Sequence, residues 1–103
     1  MKVRVRIEPE AEQQAEDLIA WWRAHRPAAR SLKEQLREAF DLIADAPNAA
    51  PVYTEMAGER VRRLTIRKTP YAVYYYVDEG RAEAVVISVW SGMRGHGPPL
   101  AAK

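Results

Sequence analysis

The sequence contains no cysteine and only two histidines, which removes several kinds of functional site. A chain without cysteine forms no disulfide and has neither a thiolate metal site nor a cysteine nucleophile. His25 and His96 do not stand at ligand spacing with carboxylates, so we expect no bound metal. Residues 92–97 are rich in glycine but open no helix, unlike a nucleotide-binding loop, and we expect no cofactor.

Long hydrophobic runs are also missing from the sequence. No segment approaches the roughly 20 consecutive apolar residues with which a helix crosses a membrane. Residues 1–7 alternate apolar and basic side chains, whereas a signal peptide contains a continuous apolar stretch. We therefore expect a cytoplasmic protein that does not interact with membranes.

The chain has 103 residues, the size of one domain, and its charge is unevenly distributed. The net charge is only +2, and acidic residues concentrate in the first half. Basic residues cluster between positions 60 and 68, at Arg60, Arg62, Arg63, Arg67 and Lys68. Such a stripe suits a polyanion or an acidic protein partner. A solvated strand face is the alternative interpretation.

The spacing of apolar residues predicts the order of secondary-structure elements. Alternation over residues 2–7 indicates a strand. Two helical stripes follow, at Ala11, Ala15, Leu18, Ile19 and Trp22 and then at Leu32, Leu36, Ala39, Phe40 and Ile43. Residues 61–66, 71–77 and 84–90 are strand candidates. We expect a single α+β domain over residues 1–103, ordered β-α-α-β-β-β, in which a helix hairpin covers one face of a three-stranded antiparallel meander. The position of the first strand beside the meander stays open.

Side-chain alternation predicts which strand residues lie under the helices and which lie on the opposite, open face. The side under the helices is predicted to hold Leu64, Ile66, Val73, Tyr75, Val77, Val85, Ile87 and Val89. The open face is predicted to hold Arg63, Thr65, Ala72, Tyr74, Tyr76, Ser88 and Trp90. Tyrosine, tryptophan and arginine dominate binding hot spots, so we interpret the open face as a binding surface. The alternative is that aromatic residues simply favour strands.

Two further features lie outside the strands. Trp21 and Trp22 are adjacent on the first helix and cannot both face the core, so Trp21 is expected at the border or exposed. Arg94 follows the last strand on a glycine-flanked segment, where an arginine is suited to bind phosphate or carboxylate.

The succession of segments resembles the RelE/ParE toxins over nearly the whole chain. It includes Val61-Arg62-Arg63-Leu64, Tyr71-Ala72-Val73-Tyr74-Tyr75-Tyr76-Val77-Asp78 and the ending Val86-Ile87-Ser88-Val89-Trp90-Ser91-Gly92-Met93-Arg94. This resemblance implies the toxin of a type II toxin–antitoxin pair, bound and neutralised by a cognate antitoxin in a hetero-oligomer. It also implies one of two activities. The RelE branch cleaves messenger RNA on the ribosome, and the ParE branch inhibits DNA gyrase.

The same resemblance bears on which activity to expect. Ribonuclease members carry basic or proton-transferring residues at five positions, and this chain keeps only Arg63. The other four positions hold Thr65, Ala72, Gly92 and Pro98. If the protein cuts RNA, we expect Arg63, Arg94 and His96 to take part in catalysis. We favour the gyrase inhibitor, with Arg63, Arg67, Tyr74, Tyr76, Trp90 and Arg94 as binding residues. A degenerate toxin that only binds its antitoxin is a third interpretation.

Overall fold

The computed structural model describes residues 2–100. The first half of the chain forms a strand and two helices, and the second half forms four strands. The elements are β1 (Arg4–Ile7), α1 (Pro9–His25), α2 (Leu32–Asp45), β2 (Val52–Met56), β3 (Glu59–Thr65), β4 (Tyr71–Asp78) and β5 (Glu83–Ser91), followed by a 3-10 turn (Gly92–Arg94). The predicted α+β class is therefore confirmed.

The two helices begin and end at residues with recognisable terminal signals. Pro9 opens α1, where its fixed φ suits the first turn, and the helix ends two residues before Pro27. Ser31 caps α2, because its hydroxyl accepts a hydrogen bond from the Glu34 amide. Both predicted apolar stripes pack in one core, with Phe40 only partly buried.

The strands form one sheet in the order β1-β5-β4-β3-β2. Strand β1 pairs with β5 in parallel, and the remaining pairs are antiparallel. The predicted three-stranded meander is confirmed, but the sequence interpretation missed β2. A two-residue turn joins β2 to β3, and both of its residues, Ala57 and Gly58, have positive φ. A tight hairpin requires this conformation, yet alanine rarely adopts it.

One side of the sheet, which we call the helix face, packs against α1 and α2. Its buried residues are the strand residues Tyr71, Val73, Tyr75, Ala84, Val86 and Val89, together with Ile66 just after β3. Two polar side chains fasten the connection between α2 and β2 to this side. The Tyr75 hydroxyl donates to the Pro47 carbonyl at 2.7 Å, and the Arg62 guanidinium donates to the carbonyls of Asn48 and Ala50 at 3.0 and 2.6 Å.

The opposite side of the sheet, which we call the tail face, carries a second buried cluster. It consists of Val61, Ala72, Tyr74, Tyr76, Val85 and Ile87, with Met56, Trp90 and Leu100 packed against it. The prediction of an open face was wrong here, since Tyr74 and Tyr76 are each only 5% exposed. Leu100 belongs to the segment after β5, so the end of the chain helps to cover these tyrosines.

A bulge in β5 changes which side chains lie on each face. Tyr74 pairs with Ser88 while Tyr75 pairs with Val86, so Ile87 is an extra residue. The predicted placement of Val85 and Ile87 under the helices was wrong, because both pack in the tail-face cluster. The predicted placement of Ser88 on the open face was also wrong, because Ser88 is buried and its hydroxyl is bound to α1. Gln14 of α1 provides a hydrogen-bond acceptor for the polar groups at the bulge. Its side-chain oxygen accepts hydrogen bonds from the Ser88 hydroxyl and the Val89 amide, both at 2.9 Å.

Candidate partner-binding surface

Three of the predicted functional residues lie together at the end of β5. The Arg94 guanidinium stacks over the Trp90 ring, with its central carbon 4.5 Å from the ring centroid. The Trp90 indole N–H donates to the His96 carbonyl at 3.0 Å, and the two rings lie 5.6 Å apart. The cation–π contact and the hydrogen bond fix the indole beside a charged group, as in many binding hot spots.

Arg63 belongs to a second group on the tail face, nearer the edge of the sheet. Its guanidinium lies over the ring of Tyr53, 5.2 Å from the centroid, and Tyr53 meets Tyr74 edge-on at 5.0 Å. The sequence analysis missed Tyr53 because it missed β2. The signal was present in Val52-Tyr53-Thr54, three residues that favour strands, ahead of the turn at Gly58.

The segment after the 3-10 turn connects the two groups. His96 contacts Trp90, and the next residue, Gly97, lies so close to Tyr53 that an added Cβ would be 2.6 Å from its hydroxyl oxygen. Tyr53, Arg63, Tyr74, Trp90 and Arg94 thus share one surface, which we call the aromatic patch. Its accessible part is formed by Tyr53, Arg63, Trp90 and Arg94, because Tyr74 is buried.

Arg67 lies apart from the aromatic patch. Together with Lys68 it lines a groove between α2 and β3, on the helix side of the sheet. Arg60 faces Glu55, and Arg62 is bound to backbone carbonyls. The cluster of basic residues in the sequence is therefore divided among several surfaces. Neighbouring residues of β3 point to opposite faces, and Arg67 and Lys68 lie in the turn after this strand.

Around Arg63 the sheet offers no second cation. Its partner across the strands is Tyr74, and the next pair on the same face is Thr65 with Ala72. Gly92 has no side chain, and its amide donates to the Pro70 carbonyl at 2.7 Å. Within residues 2–100, no three histidine or acidic side chains come close enough together to hold a metal ion. The accessible side chains of the patch are therefore two aromatic rings and two guanidinium groups.

The sequence matches a known toxin family over residues 5–95, the family described as ParE toxin of type II toxin–antitoxin system, parDE. No curated protein matches significantly. The match spans most of the chain, and with the fold it defines a member of the RelE/ParE toxin superfamily. The chain belongs to the ParE toxin family and is a type II toxin–antitoxin toxin.

Solved structures share this fold at low sequence identity. The chromosomal ParDE toxin–antitoxin system from P. aeruginosa matches with a TM-score of 0.69 and 16% identity, over 87% of this chain and 96% of that one. A double arginine-to-alanine mutant of E. coli toxin RelE in the free state gives 0.67 and 16%, over 91% and 87%. The toxin–antitoxin complex RelBE2 from Mycobacterium tuberculosis gives 0.58 and 19%, over 88% and 92%. Among the described residues of this chain, neither helix is long and apolar enough to span a bilayer.

Proposed function

We propose that this toxin acts as a ParE-like inhibitor of DNA gyrase and is neutralised by a cognate antitoxin. The observation that supports this proposal is the composition of the aromatic patch. Its accessible side chains are two aromatic rings, each stacked with one arginine. Amphipathic rings beside guanidinium groups are the residue types that anchor protein–protein interfaces.

Ribonuclease chemistry would need more than this surface offers. When the 2′-hydroxyl of RNA attacks the neighbouring phosphate, negative charge develops on the phosphoryl oxygens, and a base and an acid must move protons. Without a metal, several cations must converge on that phosphate. Arg63 is flanked by Thr65 and Ala72, so this part of the sheet supplies one positive charge.

A RelE-like ribonuclease is the alternative, and one arrangement favours it. Arg94 and His96 both contact Trp90, and Gly97 brings their segment next to Tyr53 beside Arg63. In that case Arg63 and Arg94 would hold the phosphate and His96 would transfer a proton. The ribosome would have to draw these groups together around the RNA.

The groove between α2 and β3 supports the antitoxin as a partner. Its volume is about 560 Å³, and its lining includes Leu42, Leu64, Arg67 and Lys68. Leu42 is 61% exposed and lines the groove, so apolar surface is available there for a partner to cover. The lining also contains the Arg30–Glu38 ion pair, whereas Arg67 and Lys68 form no ion pair within residues 2–100. The apolar part of the groove and these two cations complement an amphipathic acidic segment, which folds as it binds.

The decisive experiment measures both activities with the same purified toxin. We expect it to block supercoiling by gyrase and to leave messenger RNA uncut in a translating ribosome mixture. Trp90→Ala should weaken gyrase inhibition by about 30-fold, equivalent to about 2 kcal/mol, if Trp90 is a hot spot. Co-expression of the antitoxin should restore growth.

The matched control is Arg67→Ala, which removes a cation outside the aromatic patch. This variant should retain gyrase inhibition, whereas Arg63→Ala should reduce it modestly, as expected for a charge that guides encounter. Cleavage of ribosome-bound messenger RNA with gyrase unaffected would contradict the proposal. The alternative would then gain support if Arg63→Ala or Arg94→Ala lowered the cleavage rate by about 100-fold or more.

A further inference from the structure

A mainly apolar cavity lies between the last turns of α1 and the 3-10 turn after β5. Its volume is about 330 Å³, within the range of sites that hold a large side chain or a small ligand. Its apolar lining includes Leu18, Trp21, Trp22, Tyr71 and Met93. Trp21 is 48% exposed and Met93 is 82% exposed, so two large apolar side chains stand uncovered at this cavity.

Two cations also line the cavity, and neither has a carboxylate partner within residues 2–100. The Arg26 guanidinium lies over the Trp22 ring at 5.6 Å, and Arg94 lies over Trp90. Most other arginines near the ends of β1 and α1 form ion pairs, for example Arg30 with Glu38 and Arg6 with Glu83. The cavity therefore combines an apolar interior with two uncompensated positive charges.

Tyr71 adds a hydrogen-bonding group to this lining. The residue is only 4% exposed, yet its hydroxyl makes no hydrogen bond within residues 2–100. The phenol oxygen is not sealed from solvent either, since the described residues contain no enclosed side-chain oxygen without a partner. An almost buried hydroxyl beside a cavity is well placed to bind a polar group of a ligand.

The charges select an anionic ligand. The carboxyl end of α1 carries a partial negative charge of about half a unit, which two guanidinium charges outweigh. Guanidinium groups bind carboxylates in charge-assisted, often bidentate hydrogen bonds. We propose that this cavity is a second partner-binding site, which takes a bulky apolar side chain flanked by carboxylates from an acidic protein segment. The proposal does not depend on whether the toxin acts on gyrase.

The probe is an acetylated and amidated peptide, Glu-Phe-Glu, titrated into the full-length toxin and followed by the indole N–H signals of its tryptophans in NMR spectra. We expect saturable shifts of the Trp21 and Trp22 signals. The matched peptides Gln-Phe-Gln and Glu-Ala-Glu should each bind at least about fivefold more weakly, because each lacks one of the two contacts. Equal shifts with all three peptides would overturn the proposal.

Three variants assign the binding to this cavity. Arg26→Gln should weaken binding of Glu-Phe-Glu by about fivefold. The control is Arg37→Gln, which makes the same charge change at an exposed residue of α2 and should leave the binding unchanged. Met93→Glu places a competing carboxylate beside both arginines and should abolish the binding. Met93 is exposed, so that variant should keep its fold. Unaltered binding by Met93→Glu, with a native spectrum elsewhere, would contradict the proposal. None of these outcomes depends on gyrase inhibition.

Discussion

The two faces of the sheet bury their tyrosines by different means. On the helix face, Tyr75 is completely buried beneath regular secondary structure, and its hydroxyl is bound to the Pro47 carbonyl. On the tail face, Tyr74 and Tyr76 are nearly as well buried, but irregular chain after β5 contributes to their cover. A short segment held by few contacts opens at a much lower free energy than a packed helix pair.

This difference indicates which face is available to a partner. Separating α1 and α2 from the sheet would expose the main core and unfold the domain. Moving the segment around Gly97 would expose Tyr74 while the helix face stays packed. We therefore expect packing on the helix face to determine the free energy of unfolding. The segment that covers the tail face should be able to move with little effect on the rest of the fold.

The largest expected effect on the free energy of unfolding comes from a substitution that creates a cavity beneath the helices. Ile43 of α2 is almost fully buried, so Ile43→Ala should lower the free energy of unfolding by about 2–5 kcal/mol, measured by urea denaturation. The neighbouring residue Leu42 is a control on the same helix. Because Leu42 is exposed, Leu42→Ala should change stability by no more than about 0.5 kcal/mol. Similar losses in both variants would show that α2 does not cover the core as described.

A smaller effect compares two adjacent tyrosines of β4, one on each face. Tyr75→Phe removes the hydrogen bond to the Pro47 carbonyl and should cost about 1–2 kcal/mol. Tyr74→Phe should cost less than about 0.5 kcal/mol, because its hydroxyl makes no hydrogen bond within residues 2–100. Equal costs would mean that the two faces hold their tyrosines in the same way.

The Tyr75→Phe variant should also differ from the unmodified protein in its response to alkaline pH. Burial raises the pKa of the Tyr75 hydroxyl, so the unfolded chain loses this proton first, near its ordinary pKa of about 10. The associated stability is present below that pH and declines as the pH rises further towards the folded-state pKa. Tyr75→Phe should therefore show a shallower decline above pH 10 in thermal unfolding than the unmodified protein.

The smallest effect tests the cover of the tail face. In Gly97→Ala the new methyl group would press on the Tyr53 hydroxyl, and the partly exposed ring should move away. We expect a loss below about 1 kcal/mol, with altered NMR shifts for the rings of Tyr53 and Tyr74. Gly80→Ala is the control, because its added Cβ meets only ordinary contacts. Unchanged ring signals in Gly97→Ala would show that the segment does not lie against Tyr53.

Much of the fold was predictable because it depends on regular periodicity. Both helical stripes and the strands from β3 onward follow from the spacing of apolar residues. Strand β2 was missed because its hairpin turn uses Ala57 with positive φ, a conformation that alanine seldom indicates. The alternation predicted for β5 failed at the bulge near Ile87, because a single extra residue interrupts it. Val89 and Trp90 lie on their predicted faces, whereas Val85, on the other side of the bulge, lies on the opposite face from the predicted one.

The candidate site was less predictable, because it depends on contacts between distant parts of the chain. Arg63, Trp90 and Arg94 were identified by residue type. In the structure, Arg63 lies over the Tyr53 ring and Arg94 lies over the Trp90 ring. Their neighbour Tyr53 comes from the missed strand. The cover provided by residues 96–100 has no local sequence signal, since irregular segments follow no period. The grouping of Arg67 with Arg63 failed because β3 ends at Thr65, so Arg67 lies in the turn before β4 and does not follow the alternation of the strand.

The position of β5 in the sheet also has a consequence for folding during synthesis on the ribosome. This strand is central, between β1 and β4, and it is the last strand to be synthesised. Its partner β1 is therefore far away from it in the sequence, because Arg4 pairs with Glu83. A topology with contacts between such distant residues has a high contact order and folds slowly. An interrupted translation product that ends before residue 83 has no central strand and cannot complete the sheet. Folding, and with it any toxicity, should therefore require that synthesis has passed the end of β5 at Ser91.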